Sequence, residues 1–171
     1  MALWAVRAAQ AQDVPPGVLN FLRRHEEEEA QHLKQFELLL GINSHGKTTL
    51  PRMPSQWRVL AVHLYGYETV GLEFARLLVG LRPDLISILK DEEVHVGFFE
   101  HEVRTILMQG GSVADGARQA ARSWRRRLPP TVNRYLHDES FAPFRDELQR
   151  HILGVIDERF FAVGLAAQHE G

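Results

Sequence analysis

Cysteine is absent from this chain, and its absence excludes disulfide bonds, zinc–thiolate sites, iron–sulfur clusters and cysteine nucleophiles. No apolar run approaches the roughly 18 residues that a membrane-spanning helix requires, so no transmembrane segment is expected. Neither sign of charge dominates, since the formal net charge is -2, and nucleic acid is therefore not an expected partner. These absences favour a soluble protein of a reducing compartment, and we predict a cytoplasmic location.

Glycines and prolines divide the 171 residues, enough for one domain with a sizeable core, into helices. No stretch alternates apolar and polar residues without helical spacing fitting equally well, so no strand is expected. The apolar spacing predicts helices over residues 2–12, 18–40, 56–79, 84–109, 113–128, 132–136 and 143–168. Pro129 and Pro130 are expected to end the fifth of these helices. Short links between long helices predict an all-α, antiparallel bundle over residues 1–109, with a C-terminal helical extension over 110–171 packing on it.

Three of the predicted helices carry a carboxylate in the middle of an otherwise apolar seam. In the second helix, the positions spaced three and four apart are Leu22, His25, Glu29, His32, Phe36 and Leu39. The third helix has Glu68 on its seam, and the fourth has Glu92 and His95. A buried charge persists only when it is paired, hydrogen-bonded or bound to metal. Because no lysine or arginine shares these seams, the sequence predicts that metal cations balance the carboxylates.

The spacing Glu-x-x-His, which occurs in the second and fourth helices, places a carboxylate and an imidazole on one helix face. Both groups can then converge on one ion. We predict a site for two metal ions whose ligands are Glu29, His32, Glu68, Glu92 and His95. An acid precedes each motif, and metal-bound histidine commonly donates its second N–H to a carboxylate. We therefore predict that Asp91 binds His32. Glu28 is expected to bind His95 in the same way.

The ordered set EAQH at 29–32, Glu68 and EEVH at 92–95 resembles the ferritin-like di-iron carboxylate superfamily. Within that superfamily, the HLKQF stretch after the first motif and the compact size are similar to the demethoxyubiquinone hydroxylase group. The resemblance covers residues 2–109 and implies a four-helix bundle that holds two iron ions, with manganese as an alternative metal. The residues after the bundle have no counterpart in it.

The superfamily pattern also has a glutamate in the first helix, whereas residues 2–12 contain no acid. Either the chain begins too late to include this ligand, or the site has fewer ligands. A third alternative is a substitute from the last helix, where His151 and Glu158 lie on a seam among apolar residues. His25 lies on a seam as well. A single seam histidine is more often a core residue than a ligand, and we expect His25 only to pack.

The predicted site indicates a di-iron oxidoreductase, an oxygen-activating hydroxylase or oxygenase that uses dioxygen or peroxide and a small-molecule substrate. Two alternatives stay open: iron handling of the ferroxidase or peroxidase type, and a non-catalytic ferritin-like binding protein with an incomplete site. The apolar last helix allows a homodimer. The basic run RSWRRR at 122–127 is expected to be an exposed helix end, and Glu73 a surface residue.

Overall fold

The computed structural model describes residues 2–41 and 52–167. Its α-helices in chain order are α1 (Ala2–Ala9), α2 (Pro16–Leu40), α3 (Trp57–Leu81), α4 (Ile86–Met108), α5 (Gly111–Tyr135) and α6 (Arg145–Val163). One-turn 3₁₀ helices at Pro83–Leu85 and Glu139–Phe141 precede α4 and α6. The described residues contain no strand, and the all-α prediction is confirmed. Of the helices in these two ranges, none combines the length and the apolar character needed to cross a bilayer.

The three helices that carry the predicted ligands, α2, α3 and α4, begin and end within about two residues of their predicted bounds. α2 ends because Gly41 adopts a left-handed conformation with φ 62°, and its N–H binds the carbonyl of Glu37. The outer helices differ more. α1 ends at Ala9 and α6 ends at Val163, so both are shorter than their apolar spacing predicts.

α5 contradicts the prediction that Pro129 and Pro130 end the fifth helix, because it continues to Tyr135. The segment predicted as a separate helix over 132–136 forms the end of α5. Leu128 and Val132 are buried on either side of the prolines, and their packing outweighs the loss of two N–H donors. The basic run at 122–127 therefore lies within a helix, and its interpretation as a helix end is wrong.

α6 buries a different face from the predicted one. Its buried residues are Ile152, Ile156, Phe160 and Val163. These residues form an apolar stripe at helical spacing, so their burial avoids the desolvation of an ionisable side chain. His151 and Glu158 are exposed. The alternative in which they replace the missing first-helix ligand is therefore wrong.

α3 contacts α1, α4, α5 and α6, while α2 contacts α1 and α4. Trp124 of α5 packs over Gly66 of α3, where an added Cβ would lie 2.5 Å from the indole ring. The same indole stacks on Phe160 of α6 with ring centroids 5.4 Å apart. The buried ring of Tyr65 also stacks on Phe160, as expected for a packing role. α5 and α6 thus lie against the helices that carry the site, while the domain boundary near residue 109 stays a prediction.

Glu73 is only 3% exposed, and its interpretation as a surface residue is wrong. Its carboxylate accepts a hydrogen bond from Arg76 at 2.9 Å. Arg159 of α6 lies 3.7 Å away. Two guanidinium groups therefore compensate for the loss of water around one carboxylate, and the second of them links α6 to α3.

Candidate metal centre

Six ionisable side chains from α2, α3 and α4 meet in the interior of the protein. They are His25, Glu29, His32, Glu68, Glu92 and His95. All six are buried, and three of them, His25, Glu68 and His95, are 0% exposed. The structure thus brings together the five residues predicted as ligands and adds His25 to them.

The first group of convergent ligand atoms belongs to His25, Glu29, Glu68 and His95. Nε2 of His25 lies 3.3 Å from Oε2 of Glu68 and 3.9 Å from Oε1 of Glu29. Nδ1 of His95 lies 3.8 Å from the same oxygen of Glu68. Two imidazoles and two carboxylates therefore surround one point, and such a donor set suits a divalent transition-metal ion.

The second group belongs to Glu29, His32 and Glu92. Nδ1 of His32 lies 3.6 Å from Oε1 of Glu29 and 3.8 Å from Oε1 of Glu92. Glu29 belongs to both groups, and its Oε1 lies 3.9 Å from Nε2 of His25 and 3.6 Å from Nδ1 of His32. Its carboxylate could therefore contribute to both groups. The two groups differ in composition, because the first has two histidines and the second has one.

Many polar atoms of this cluster have no hydrogen-bond partner among the residues that the structure describes. They are both ring nitrogens of His25, Nδ1 of His32 and of His95, both carboxylate oxygens of Glu68, and one oxygen each of Glu29 and Glu92. An unpaired buried polar atom costs roughly 1–3 kcal/mol, and folded proteins leave few of them. No lysine or arginine is buried within the described ranges. Metal ions therefore fit this cluster as the partners of its unpaired atoms.

The outward-facing nitrogens of two histidines are held by carboxylates. Nε2 of His32 lies 2.9 Å from Oδ2 of Asp91. Nε2 of His95 lies 2.8 Å from Oε2 of Glu28. Both contacts predicted from the sequence are confirmed. With Nε2–H donating to the acid, Nδ1 of each ring faces the cluster, and in the neutral form of the ring its lone pair is directed there, as a metal ligand requires.

Burial and mutual repulsion perturb the three carboxyl groups. Burial raises the pKa of Glu68 to about 8, and the charge of Glu29 adds to this shift. Burial likewise raises the pKa of Glu92 to about 9, with Glu68 and Glu29 adding to it. Burial also acts to raise the pKa of Glu29, but the close approach of His32 and the neighbouring rings of His25 and His95 reverse the shift, so that the pKa is lowered. Without a cation, two of the three carboxyls hold protons at neutral pH, and metal binding would release them.

The histidines divide in the same way. Burial lowers the pKa of His25 to about 4, although Glu29 opposes the shift. Burial, followed by the charge of His25, also lowers the pKa of His95. The two rings lie 3.7 Å apart, an arrangement that disfavours charge on either one. Burial acts to lower the pKa of His32 too, but the nearby carboxylate of Glu29 and the hydrogen bond with Asp91 raise it to about 9. His25 and His95 are thus already in the neutral form that binds metal.

No protein-family model, curated protein or solved structure matches this chain. The function therefore has to be argued from the chemistry of the site.

His25 is the member of the cluster that sequence reasoning missed. We expected it only to pack in the core, where it is indeed buried, but both of its ring nitrogens are unpaired and one faces Glu68, which adds it to the candidate ligands. The signal was present in the sequence. His25 lies four residues before Glu29 on the same seam, so its side chain is directed to the same side of α2.

A cavity of about 520 Å³ adjoins the cluster, and Glu29 and Glu92 lie on its wall. Most of its remaining lining is apolar, and it includes Phe36, Val70, Phe74, Leu78, Ile88 and Leu128. Gly71 of α3 also lines it, and a Cβ at this position would lie 2.8 Å from Oε2 of Glu92. The missing side chain thus makes room for a carboxylate between the cavity and the cluster. The cavity volume is in the range of small-molecule sites, roughly 300–1,000 Å³.

Proposed function

We propose that this chain is a ferritin-like di-iron oxidoreductase that activates dioxygen to oxidise a small apolar substrate. The observation that carries the proposal is the concentration of unpaired buried ligand atoms in two groups that share Glu29. A set of carboxylates and imidazoles suits iron, with manganese as an alternative. The proposal includes an antiparallel four-helix core, in which α1 is a short first helix.

In this proposal, His25 takes the place of the first-helix glutamate of the superfamily. Two observations support this role. Nε2 of His25 lies 3.3 Å from Oε2 of Glu68, and α1 contains no acidic residue. A neutral imidazole in place of a carboxylate leaves the first metal position with one negative charge fewer. We expect this position to bind metal more weakly than a site with the full set of carboxylates.

The remaining residues then have separate roles. Glu29 would be shared by the two positions, Glu68 and His95 would complete the first, and His32 and Glu92 would complete the second. When bound, a pair of iron ions supplies the reduction of dioxygen. Glu28 and Asp91 keep their histidines in the tautomer that binds metal. A substrate that fills the cavity would displace water from the carboxylates of Glu29 and Glu92, which lie on its otherwise mostly apolar wall.

The cavity favours oxidation of an organic substrate over ferroxidase or peroxidase-type iron handling. Iron ions and peroxide are polar and need no apolar space beside the site, whereas a small organic molecule does. A non-catalytic binding protein with an incomplete site is the third reading. It does not account for the unpaired ligand atoms of the cluster, because buried polar atoms without a partner are destabilising.

Oxygen uptake by the iron-loaded protein tests this function. The chain would be loaded anaerobically with ferrous iron, mixed with oxygenated buffer and followed with an oxygen electrode. We expect uptake well above that of free iron, reduced at least about 100-fold in Glu29→Gln, which removes the shared carboxylate. Glu27→Gln is the matched control, because Glu27 is an exposed neighbour on the same helix, and it should behave as the wild type.

Two outcomes would contradict the proposal. Uptake by the loaded wild type that equals free iron in buffer would exclude oxygen activation. Sustained turnover with ferrous iron as the only reductant and no organic substrate would indicate iron handling instead of a hydroxylase.

A further inference from the structure

The cavity beside the candidate metal centre has a cation on its wall. Arg127 of α5 is the only charged residue other than Glu29 and Glu92 among the described residues that line it. Arg127 is exposed, so it lies where the cavity meets solvent. An apolar interior thus leads to a cationic rim.

Arg127 has no acidic partner in the part of the chain that the structure describes. Its Nε donates to the carbonyl of Ser123, one turn earlier, at 3.3 Å. By contrast, Arg125 of the same basic run is paired with Asp157 at 2.6 Å. The terminal nitrogens of Arg127 therefore remain available, and a guanidinium presents two parallel N–H groups that match a carboxylate.

Ring contacts define how α5 lies along α3. The ring of Trp124 meets that of Tyr67 at 6.0 Å. Further along α5, the ring of Tyr135 meets that of Phe74 at 5.4 Å. The backbone of Arg127 lies between these two positions on α5. It is therefore level with the turns of α3 between Tyr67 and Phe74.

Those turns of α3 contain Gly71, at which Glu92 closely approaches the backbone. Arg127 and Glu92 thus line the same cavity. A molecule whose acidic group binds Arg127 would keep that end at the solvent-exposed rim. Its apolar body would extend along Phe74 and Leu78, which line the cavity towards the end of α3.

We infer that the cavity binds an apolar molecule with one carboxylate, which is held by Arg127, and that such an acid is the substrate class of this site. One arginine balances one negative charge. A phosphate ester would bring further charge with no second cation among the described lining residues. The inference deepens the proposed function and rests on it for the reaction, but binding of the acid itself requires no metal.

Titration of decanoate into the chelator-treated, metal-free chain tests this inference, with decanol as the neutral comparison. Trp124 lines the cavity, so binding should change tryptophan fluorescence, and calorimetry gives the affinity. We expect decanoate to bind one equivalent and at least about tenfold more tightly than decanol, because the acid gains a charge-assisted hydrogen bond.

Arg127→Gln should abolish the preference for the acid while decanol binding stays unchanged. Arg126→Gln is the matched control, because Arg126 is an exposed neighbour on α5 outside the cavity lining, and it should keep the preference. Ala75→Phe, which fills the cavity from α3, should remove binding of both molecules.

Three results would overturn the inference: equal affinity for decanoate and decanol, loss of the preference in Arg126→Gln as well, or full decanoate binding by a folded Ala75→Phe variant. Because these titrations use metal-free protein, they can fail while metal binding is intact. They can also succeed when oxygen uptake is absent, so the two proposals are tested separately.

Discussion

Replacing Gly71 with alanine should move folding stability and metal affinity in opposite directions. Gly71 lies in the interior of α3, where glycine is less favourable than alanine by roughly 0.5–1 kcal/mol. The three atoms nearest to the added methyl group all belong to the carboxylate of Glu92, with Oε2 at 2.8 Å and Cδ at 3.5 Å. Because that carboxylate ends a flexible side chain, it can move without a shift of the backbone.

The displacement is large on the scale of a metal site. Ordinary contacts of a Cβ begin at 3.4 Å, so Oε2 of Glu92 must retreat by about 0.6 Å (3.4 minus 2.8). Metal–ligand distances tolerate only about 0.2 Å. We therefore expect at least about tenfold weaker binding of the second metal ion, together with a melting temperature of the metal-free protein raised by about 1–4 °C.

Competition with a chromophoric chelator gives the metal affinity, and calorimetry of the metal-free protein gives the melting temperature. Gly97→Ala is the matched control, because Gly97 lies within α4 and an added Cβ there meets nothing within 4 Å. It should raise stability without changing metal affinity. Wild-type metal affinity in Gly71→Ala would refute the reasoning, because it would show that Glu92 does not need its present position.

Two further predictions concern the surroundings of the ligands. Asp91→Asn should weaken metal binding by about 10–100-fold, since it weakens the hydrogen bond that orients a histidine; chelator competition measures the loss, and the exposed Glu93→Gln should show none. The metal-free protein should lose stability as the pH rises from the ordinary carboxyl pKa of 4.5 to about 9. The pKa is raised to about 8 for Glu68 and to about 9 for Glu92. Over this range the folded protein therefore keeps protons that the unfolded chain releases. The fall should be clearest above about pH 6.5, because below it His25, with a pKa lowered to about 4, contributes in the opposite direction. Denaturation at a series of pH values measures this trend, and bound metal should abolish it; stability that rises over the upper range in the metal-free protein would contradict the assignment.

The candidate site was predictable where a charged residue interrupts an apolar helix seam. A carboxylate in an otherwise apolar seam is stable only when it is paired, hydrogen-bonded or bound to metal. Glu29, Glu68 and Glu92 could therefore be identified as candidate ligands from their spacing alone. The outward partners, Asp91 and Glu28, followed from the same helix geometry. These predictions depended on local periodicity, which a single sequence contains in full.

The errors occurred where long-range packing decides between locally similar choices. In α6, two faces carry apolar residues at helical spacing, and the contacts with α3, α4 and α5 select the one that contains Ile156 and Phe160. In α5, contacts of Leu128 and Val132 outweigh the helix-breaking tendency of the prolines. His25 was left out of the predicted ligands for the same reason, because its distance to Glu68 on another helix is not visible in the sequence.

Elemental analysis tests the central claim most directly. The chain purified after growth with added iron would be compared with Glu29→Ala and with the control Glu27→Gln. The account predicts about two iron ions per chain in the wild type and the control, and loss of both in Glu29→Ala, because Glu29 belongs to both groups of ligand atoms. Metal at background level in the wild type, even after anaerobic loading with ferrous iron, would contradict it.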